Sequence, residues 1–381
     1  MSFGTLAVIV CAGLGGPLLA LGRGGLVPVV VGELAAGVIV GKTGTHWVDA
    51  NESTTAFLSQ VGFAMLMFAA GMRVPIRQPG IARGLRRGAV AAIVVGLLSV
   101  PAGIGIAAAL GGGHAAIYAL LLASGSAAIL LPVLEEEKLV DDARVLALMA
   151  QVGIADVVAI VLLPLVLQPS KAGDAGLGLL AVAAAAGAIF ALSYLVRGRE
   201  LLHRVRRESK HRAWALDLRL SLLALFTLAW IAMRAGTSIL IAGFSAGLLV
   251  ALFGGPKRLS TQVAGIGAGF FVPLFFVTLG AKLDLRALFS HPSMLELTGL
   301  LTLANVAVHA AGALATRQAL PTALAATAQL GLPAGAVTLG LQQHVLSPSQ
   351  GGAILLAALV TIALCPVGVA LLVRPPAAEQ P

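Results

Sequence analysis

Apolar residues along this chain come in long unbroken runs. They do not alternate as in a half-buried strand, and they do not form the one-sided stripe of a surface helix. Thirteen runs stand out, at residues 3–22, 26–41, 54–72, 88–110, 115–134, 143–167, 176–196, 217–234, 236–253, 263–280, 293–316, 320–345 and 350–373. A helix needs about 20 mostly apolar residues to cross a bilayer, and most of the runs reach that length. Continuous apolarity excludes a transmembrane barrel, whose strands alternate between lipid and lumen. The pattern predicts an all-α polytopic membrane protein of about 13 transmembrane helices.

Composition agrees. Of the 381 residues, 59% are hydrophobic and 11% charged, against about 25% charged in an ordinary soluble domain. There are too few polar side chains to coat a water-facing surface, which excludes soluble globular and disordered classes. The net charge of +9 does not indicate nucleic acid, because the basic residues lie in short connections between apolar runs. Nineteen Lys and Arg follow odd-numbered spans and five follow even-numbered ones. That bias places the odd connections in the cytoplasm, with the N-terminus outside and the C-terminus inside a plasma membrane. The longest polar segment, RGRELLHRVRRESKHR at 197–212, reads as a solvated cytoplasmic loop with a role in topology. Contact with anionic lipid headgroups is its functional alternative. No segment is large enough for a soluble domain, so residues 1–375 read as one transmembrane transporter domain and 376–381 as a short cytoplasmic tail. Cys11 and Cys365 lie in apolar runs and read as membrane-buried thiols rather than a disulfide or a zinc site. No cleavable signal peptide is evident.

Thirteen spans divide into six plus six with one between. Residues 3–167 and 217–373 would form two inverted repeats, joined by a linker helix at 176–196. Transporters of this plan hold their sites near the midplane, where helices are interrupted. Two interruptions are expected in matching places. The fifth span carries Ser124, Gly125 and Ser126 midway, then Pro132, and the twelfth carries Gly331-Leu332-Pro333-Ala334-Gly335. Gly and Pro weaken the helical ladder and free backbone groups to meet an ion.

A charge within a span is costly and marks function. Asp156 lies near the middle of the sixth span with no Lys or Arg within a turn. A lone buried carboxylate holds either a proton or a monovalent cation, and that competition is enough to couple two fluxes. Gln151 lies on the same helix. Asn305 and His309 sit one turn apart in the eleventh span and can share a network, while Thr327 and Gln329 precede the expected break of the twelfth. Glu33 in the second span suits a structural or an ion-path role equally. Lys282 and Asp284, just past the tenth span, read as interfacial charges. The spacings Gly243–Gly247 and Gly265–Gly269 are expected to allow close helix packing.

These residues resemble a family. SGSAAILLPVLEEEKL at 124–139 and AQVGIADVVAIVLLPL at 150–165 are similar to the fifth and sixth helices of monovalent cation:proton antiporters. The nearer branch is the second, which includes bacterial sodium/proton antiporters and potassium efflux systems. VGELAAGVIVGKTG, FLSQVGFAMLMFAAGM and PLFFVTLGAKLDL fall in the family's order and extend the resemblance over nearly the whole chain. The resemblance implies a core bundle with crossed broken helices (the fifth and twelfth), a second bundle mediating a homodimer, and elevator-like alternation between them. It implies Asp156 as the ion-carrying aspartate, with Ser124, Gly125 and Ser126 at the unwound segment. The cation and the proton are cargo, and no cofactor is implied.

The chain also departs from the family. Electrogenic members carry two adjacent acids, and here Ala155 precedes Asp156. Their Lys or Arg in the eleventh helix aligns with His309. Losing both partners together is coherent, since a buried Lys without its acid would be an unpaired charge. Ala334-Gly335-Ala336 replaces the polar Arg-Gly-Glu often seen in the twelfth helix. One carboxylate implies electroneutral exchange of one Na⁺ or K⁺ for one H⁺. Transport of a small organic ion, or a non-transporting subunit or sensor, are the alternatives. An intramembrane hydrolase is the weakest reading: HExxH does not occur, and the one GxSxG pattern, Gly243-Phe244-Ser245-Ala246-Gly247, lies inside a continuous apolar run rather than at a strand-to-helix turn.

Overall fold

A computed structural model describes residues 1–21, 29–74, 81–111, 113–139, 142, 145–196, 208, 212, 214–235, 237–254, 257–283, 286, 290 and 292–373. The helices, in chain order, are α1 (Phe3–Gly13), α2 (Gly15–Leu21), α3 (Val29–Val40), α4 (Ser53–Met72), α5 (Ile81–Ala109) and α6 (Ala115–Ala123). They continue with α7 (Ala127–Glu136), α8 (Leu146–Leu167), α9 (Ala172–Val196), α10 (Leu216–Arg234), α11 (Ile239–Phe253) and α12 (Lys257–Ile266). The last five are α13 (Val272–Lys282), α14 (Pro292–Ala315), α15 (Pro321–Ala326), α16 (Gly331–Gln342) and α17 (Pro348–Val373). The protein is an all-helical multi-pass membrane protein. Among the described residues, ten helical stretches are long and apolar enough to cross a bilayer, and α3 and α11 are shorter apolar helices. The segment 197–212, apart from Glu208 and Arg212, lies outside the described residues, as do Asp284 and residues 374–381.

Two groups of helices emerge from the packing. α5, α6, α8 and α14–α17 pack on one another, with α7 against α8 and α17. α1–α4 pack with α11 and α13, and α10 joins them through α11. α9 touches α8 on one side and α10 and α11 on the other. Between the groups, α4 meets α7 and α16, and α8 meets α11.

Small residues let these helices approach closely. Gly243 and Gly247 of α11 face the backbone of α4, where a Cβ on Gly247 would run into the Phe68 carbonyl and the Met72 amide. That pair behaves as its spacing predicts. Gly265 and Gly269 do not: a Cβ on either would meet open space. They sit where α12 passes through the wider turn Gly267–Phe271 into α13, on a face that no described residue covers at these two positions. This also makes the tenth span longer than 263–280, since the helical stretch runs Arg258–Lys282.

Cys365 is buried in α17, but Cys11 is exposed on α1, so only one of the two thiols lies inside the protein. At the entry to α4, the Glu52 carboxylate accepts from the Thr55 N–H and the Thr55 hydroxyl, each at 2.9 Å, and lies 2.8 Å from the Met1 ammonium. The ammonium, then the Thr55 donors, hold its carboxyl down at about 2.

Candidate functional site

The site is built from two interruptions. α6 ends at Ala123, residues 124–126 are not helical, and α7 restarts at Ala127. The Ser126 carbonyl then accepts from the Ile129 and Leu130 amides, so the new helix begins at once. The second interruption covers residues 327–330, between α15 and α16. It falls just before Gly331–Gly335 rather than within it. The reason is local: Pro333 occupies the first turn of α16, where its missing N–H has no helical partner to lose, so it starts a helix instead of breaking one.

The two breaks touch. The Ser124 hydroxyl lies 2.6 Å from Gln329 Oε1 and 3.0 Å from the Leu121 carbonyl, and its single hydrogen serves one of them at a time. Gly125 is wedged between helices. A Cβ there would stand 3.1 Å from Val152 Cγ1 of α8 and 3.4 Å from the Ala326 carbonyl that closes α15. The break of the fifth span therefore contacts both the break of the twelfth and the helix that carries Asp156.

Asp156 is 4% exposed. Its carboxylate accepts a hydrogen bond from the Ala127 backbone N–H, the first residue of α7. The first amides of a helix have no partner of their own and form its positive end, so they favour a negative group. One amide cannot replace the shell of a hydrated carboxylate, and oxygen lone pairs remain for a proton or a cation.

The other sequence candidates lie on several helices. Thr327 is fully buried, and its hydroxyl donates to the Leu324 carbonyl at 2.7 Å. His309 bonds the Asn305 carbonyl of its own helix through Nδ1 at 3.0 Å. The Asn305 side chain is fully buried, and among the described residues neither its Oδ1 nor its Nδ2 has a partner. Gln151 Oε1 lies 3.4 Å from Gln318 Nε2, which in turn reaches Thr316 Oγ1 at 2.9 Å. Gln318 was not visible as a partner in the sequence, because it follows Arg317 in what reads as an interfacial connection. The Ala127 amide was equally invisible, since a backbone donor has no side-chain signature. Glu33 is buried in α3 with one carboxylate oxygen unpartnered among the described residues. Lys282 ends α13 half-buried.

A family model described as sodium/hydrogen exchanger, transmembrane, matches residues 6–374. The chain belongs to that family. YjbQ of Bacillus subtilis (strain 168), whose name marks it as a proposed Na(+)/H(+) antiporter, is 26% identical to this chain over 366 residues, 90% of this chain and 58% of YjbQ. K(+) efflux antiporter 1, chloroplastic, of Arabidopsis thaliana is 28% identical over 71% of this chain and 24% of its own length. The Na(+)/H(+)-K(+) antiporter GerN of Bacillus cereus is 23% identical over 67% of this chain and 65% of its own. The chain thus spans between about a quarter and two thirds of the length of these relatives. In fold it is similar to the sodium proton antiporter MjNhaP1 from Methanocaldococcus jannaschii, with a TM-score of 0.58, 17% identity and 95% of each chain covered.

Proposed function

We propose that this protein is a monovalent-cation/proton antiporter in which Asp156 carries Na⁺ or K⁺ in one direction and H⁺ in the other. The observation that carries the proposal is the placement of a lone buried carboxylate against the restarting end of a broken helix, where that break meets a second one. Such a group binds one cation at a time. Protonation releases the metal ion, and the metal ion displaces the proton, so neither crosses without the other having done so. Ser124, Gly125, Ser126, Thr327 and Gln329 supply hydroxyl, carbonyl and amide oxygens at the breaks, the hard ligands that alkali ions take. Asn305, whose buried amide has no partner among the described residues, is a further candidate ligand.

The stoichiometry is one for one. Ala155 leaves Asp156 without a second acid beside it, and His309 is engaged with its own helix rather than standing as a fixed cation. The two groups of packed helices support a core that moves against a second, dimer-forming bundle. Breaks in the fifth and twelfth spans support two inverted halves. The excess of basic residues after odd-numbered spans supports a cytoplasmic C-terminus in a plasma membrane.

Proteoliposomes with an acidic lumen and a trapped pH dye test the proposal. Na⁺, K⁺, Li⁺ and Rb⁺ are added outside in turn. At least one of them is expected to drive proton exit. If none does, with protein shown to be folded and inserted, the proposal fails and the cargo is not an alkali ion.

A further inference from the structure

An apolar groove of about 650 Å³ lies on the face formed by α5, α6 and α8. Its floor is made of small residues, among them Gly96, Ala119, Ala123 and Ala155. Its walls are longer side chains, including Ile93, Leu97, Val158 and Leu162, each more than a third exposed. Every lining residue is apolar. In water such a trough would be a liability. Within a spanning bundle it opens to the hydrocarbon.

Three observations say what fills it. The first is length. The α5 wall runs from Ala92 to Ile104, roughly 18 Å at 1.5 Å per residue, close to half of the ~30 Å hydrocarbon core. That is the reach of an acyl chain from one leaflet, not of a spanning helix. The second is charge. Arg86 lies one heptad before Ile93 and two before Val100, so it stands on the same stripe of α5 as the groove wall. It is exposed, it makes no ion pair among the described residues, and Arg87 is exposed beside it. Roughly 10 Å of helix separates Arg86 from Ile93, which puts the guanidinium at headgroup depth when the groove is at acyl depth. The third is room. A Cβ on Gly96 would meet nothing within 4 Å among the described residues, so the groove is open at that point, near the middle of its α5 wall.

We infer that this groove is a binding site for an anionic diacyl phospholipid, with an acyl chain along the floor and the phosphate at Arg86. The lipid would lie against Ala123, the last helical residue before the Ser124 break, and Ala155, the neighbour of Asp156. The inference rests on the membrane-spanning fold and not on the antiport reading, so the two fail separately.

The test is native mass spectrometry of the full chain released from membranes containing phosphatidylglycerol and phosphatidylcholine in equal amounts. Wild type is expected to retain phosphatidylglycerol. Gly96→Phe, whose ring has space only in the groove, is expected to lose it. Gly187→Phe, at an equally open glycine of α9, keeps it. Arg86→Gln is expected to lose about fivefold in preference for the anionic lipid, the effect of one basic side chain at a charged membrane surface. Retention of the lipid by monodisperse Gly96→Phe overturns the inference. So does a shift of Gly96→Phe from dimer to monomer with lipid retained, which would make the groove an interface between copies. If Gly96→Phe does not fold, Arg86→Gln decides: unchanged discrimination between the two lipids overturns the assignment of the headgroup.

Discussion

Asp156 and Ser124 were legible in the sequence for the same reason: each is a polar residue in an apolar run, and burying one unpaired costs too much to be incidental. What each bonds to was not legible. Ser124 meets Gln329 across 205 positions of sequence, and Asp156 meets a backbone amide that any residue would supply. The Ser124–Gln329 contact is fully buried, so Ser124→Ala leaves the Gln329 amide oxygen without that donor. We expect a loss of about 1–3 kcal/mol in stability and weaker apparent cation affinity. Thermal unfolding in detergent and the cation dependence of proton exit check the two effects. A variant with wild-type melting and wild-type cation dependence would remove Ser124 from the site. The partner of Gln151 was not legible either, because spacing along one helix does not reveal which neighbour a long side chain will find. Its partner, Gln318, lies in a connection.

At the scale of elements, the position of a break depends on more than the presence of Gly and Pro. Pro333 lies in the first turn of α16, and the unwound residues are the four before Gly331. In the fifth span Ser124, Gly125 and Ser126 are themselves the break, and α7 runs on through the position of Pro132. The two glycine pairs make the same point. Gly243–Gly247 and Gly265–Gly269 have identical spacing, yet only the first faces another helix. Gly247→Leu is expected to destabilise by about 1–3 kcal/mol or more through overpacking against α4. Gly265→Ala is expected to be neutral or to stabilise by up to about 1 kcal/mol, because it gains helix propensity and meets nothing. Melting of the two variants side by side checks this, and equal losses would contradict the packing described. The cap of α4 predicts a pH effect. The Glu52 carboxyl is held at about 2, below its ordinary 4.5, so its contribution is full above 4.5 and is lost as pH falls toward 2. Glu52→Gln should therefore lower the melting temperature at neutral pH and converge on wild type in acid. A gap that persists at pH 2 would show that the ionised carboxylate is not what caps the helix.

Across the whole molecule apolar side chains cover the outer face as well as filling the core. Leu97, Leu195 and Leu303 stand exposed, while Asn305, Thr278 and Asp156 are buried. Apolar patterning over the chain was enough to read a multi-pass helical bundle, because lipid imposes that pattern on every span. Which helices group together was less legible, since a span that faces lipid and one that faces another helix are both apolar. The division emerges only from contacts such as those of the α11 glycines with α4 and of the α5 glycines with α8. One-for-one exchange makes a prediction at this scale: net charge does not move, so clamping the membrane potential with valinomycin and K⁺ should leave the steady-state proton gradient of Na⁺-driven exchange unchanged. A gradient that follows the potential would mean more than one proton per cation. The central claim is that a single carboxylate carries both ions, and it is tested most directly by cation-driven proton exit from proteoliposomes bearing Asp156→Asn beside wild type. The account predicts exit in wild type and none in the variant, with both proteins inserted to the same extent. Proton exit at the wild-type rate from the Asn variant would contradict it.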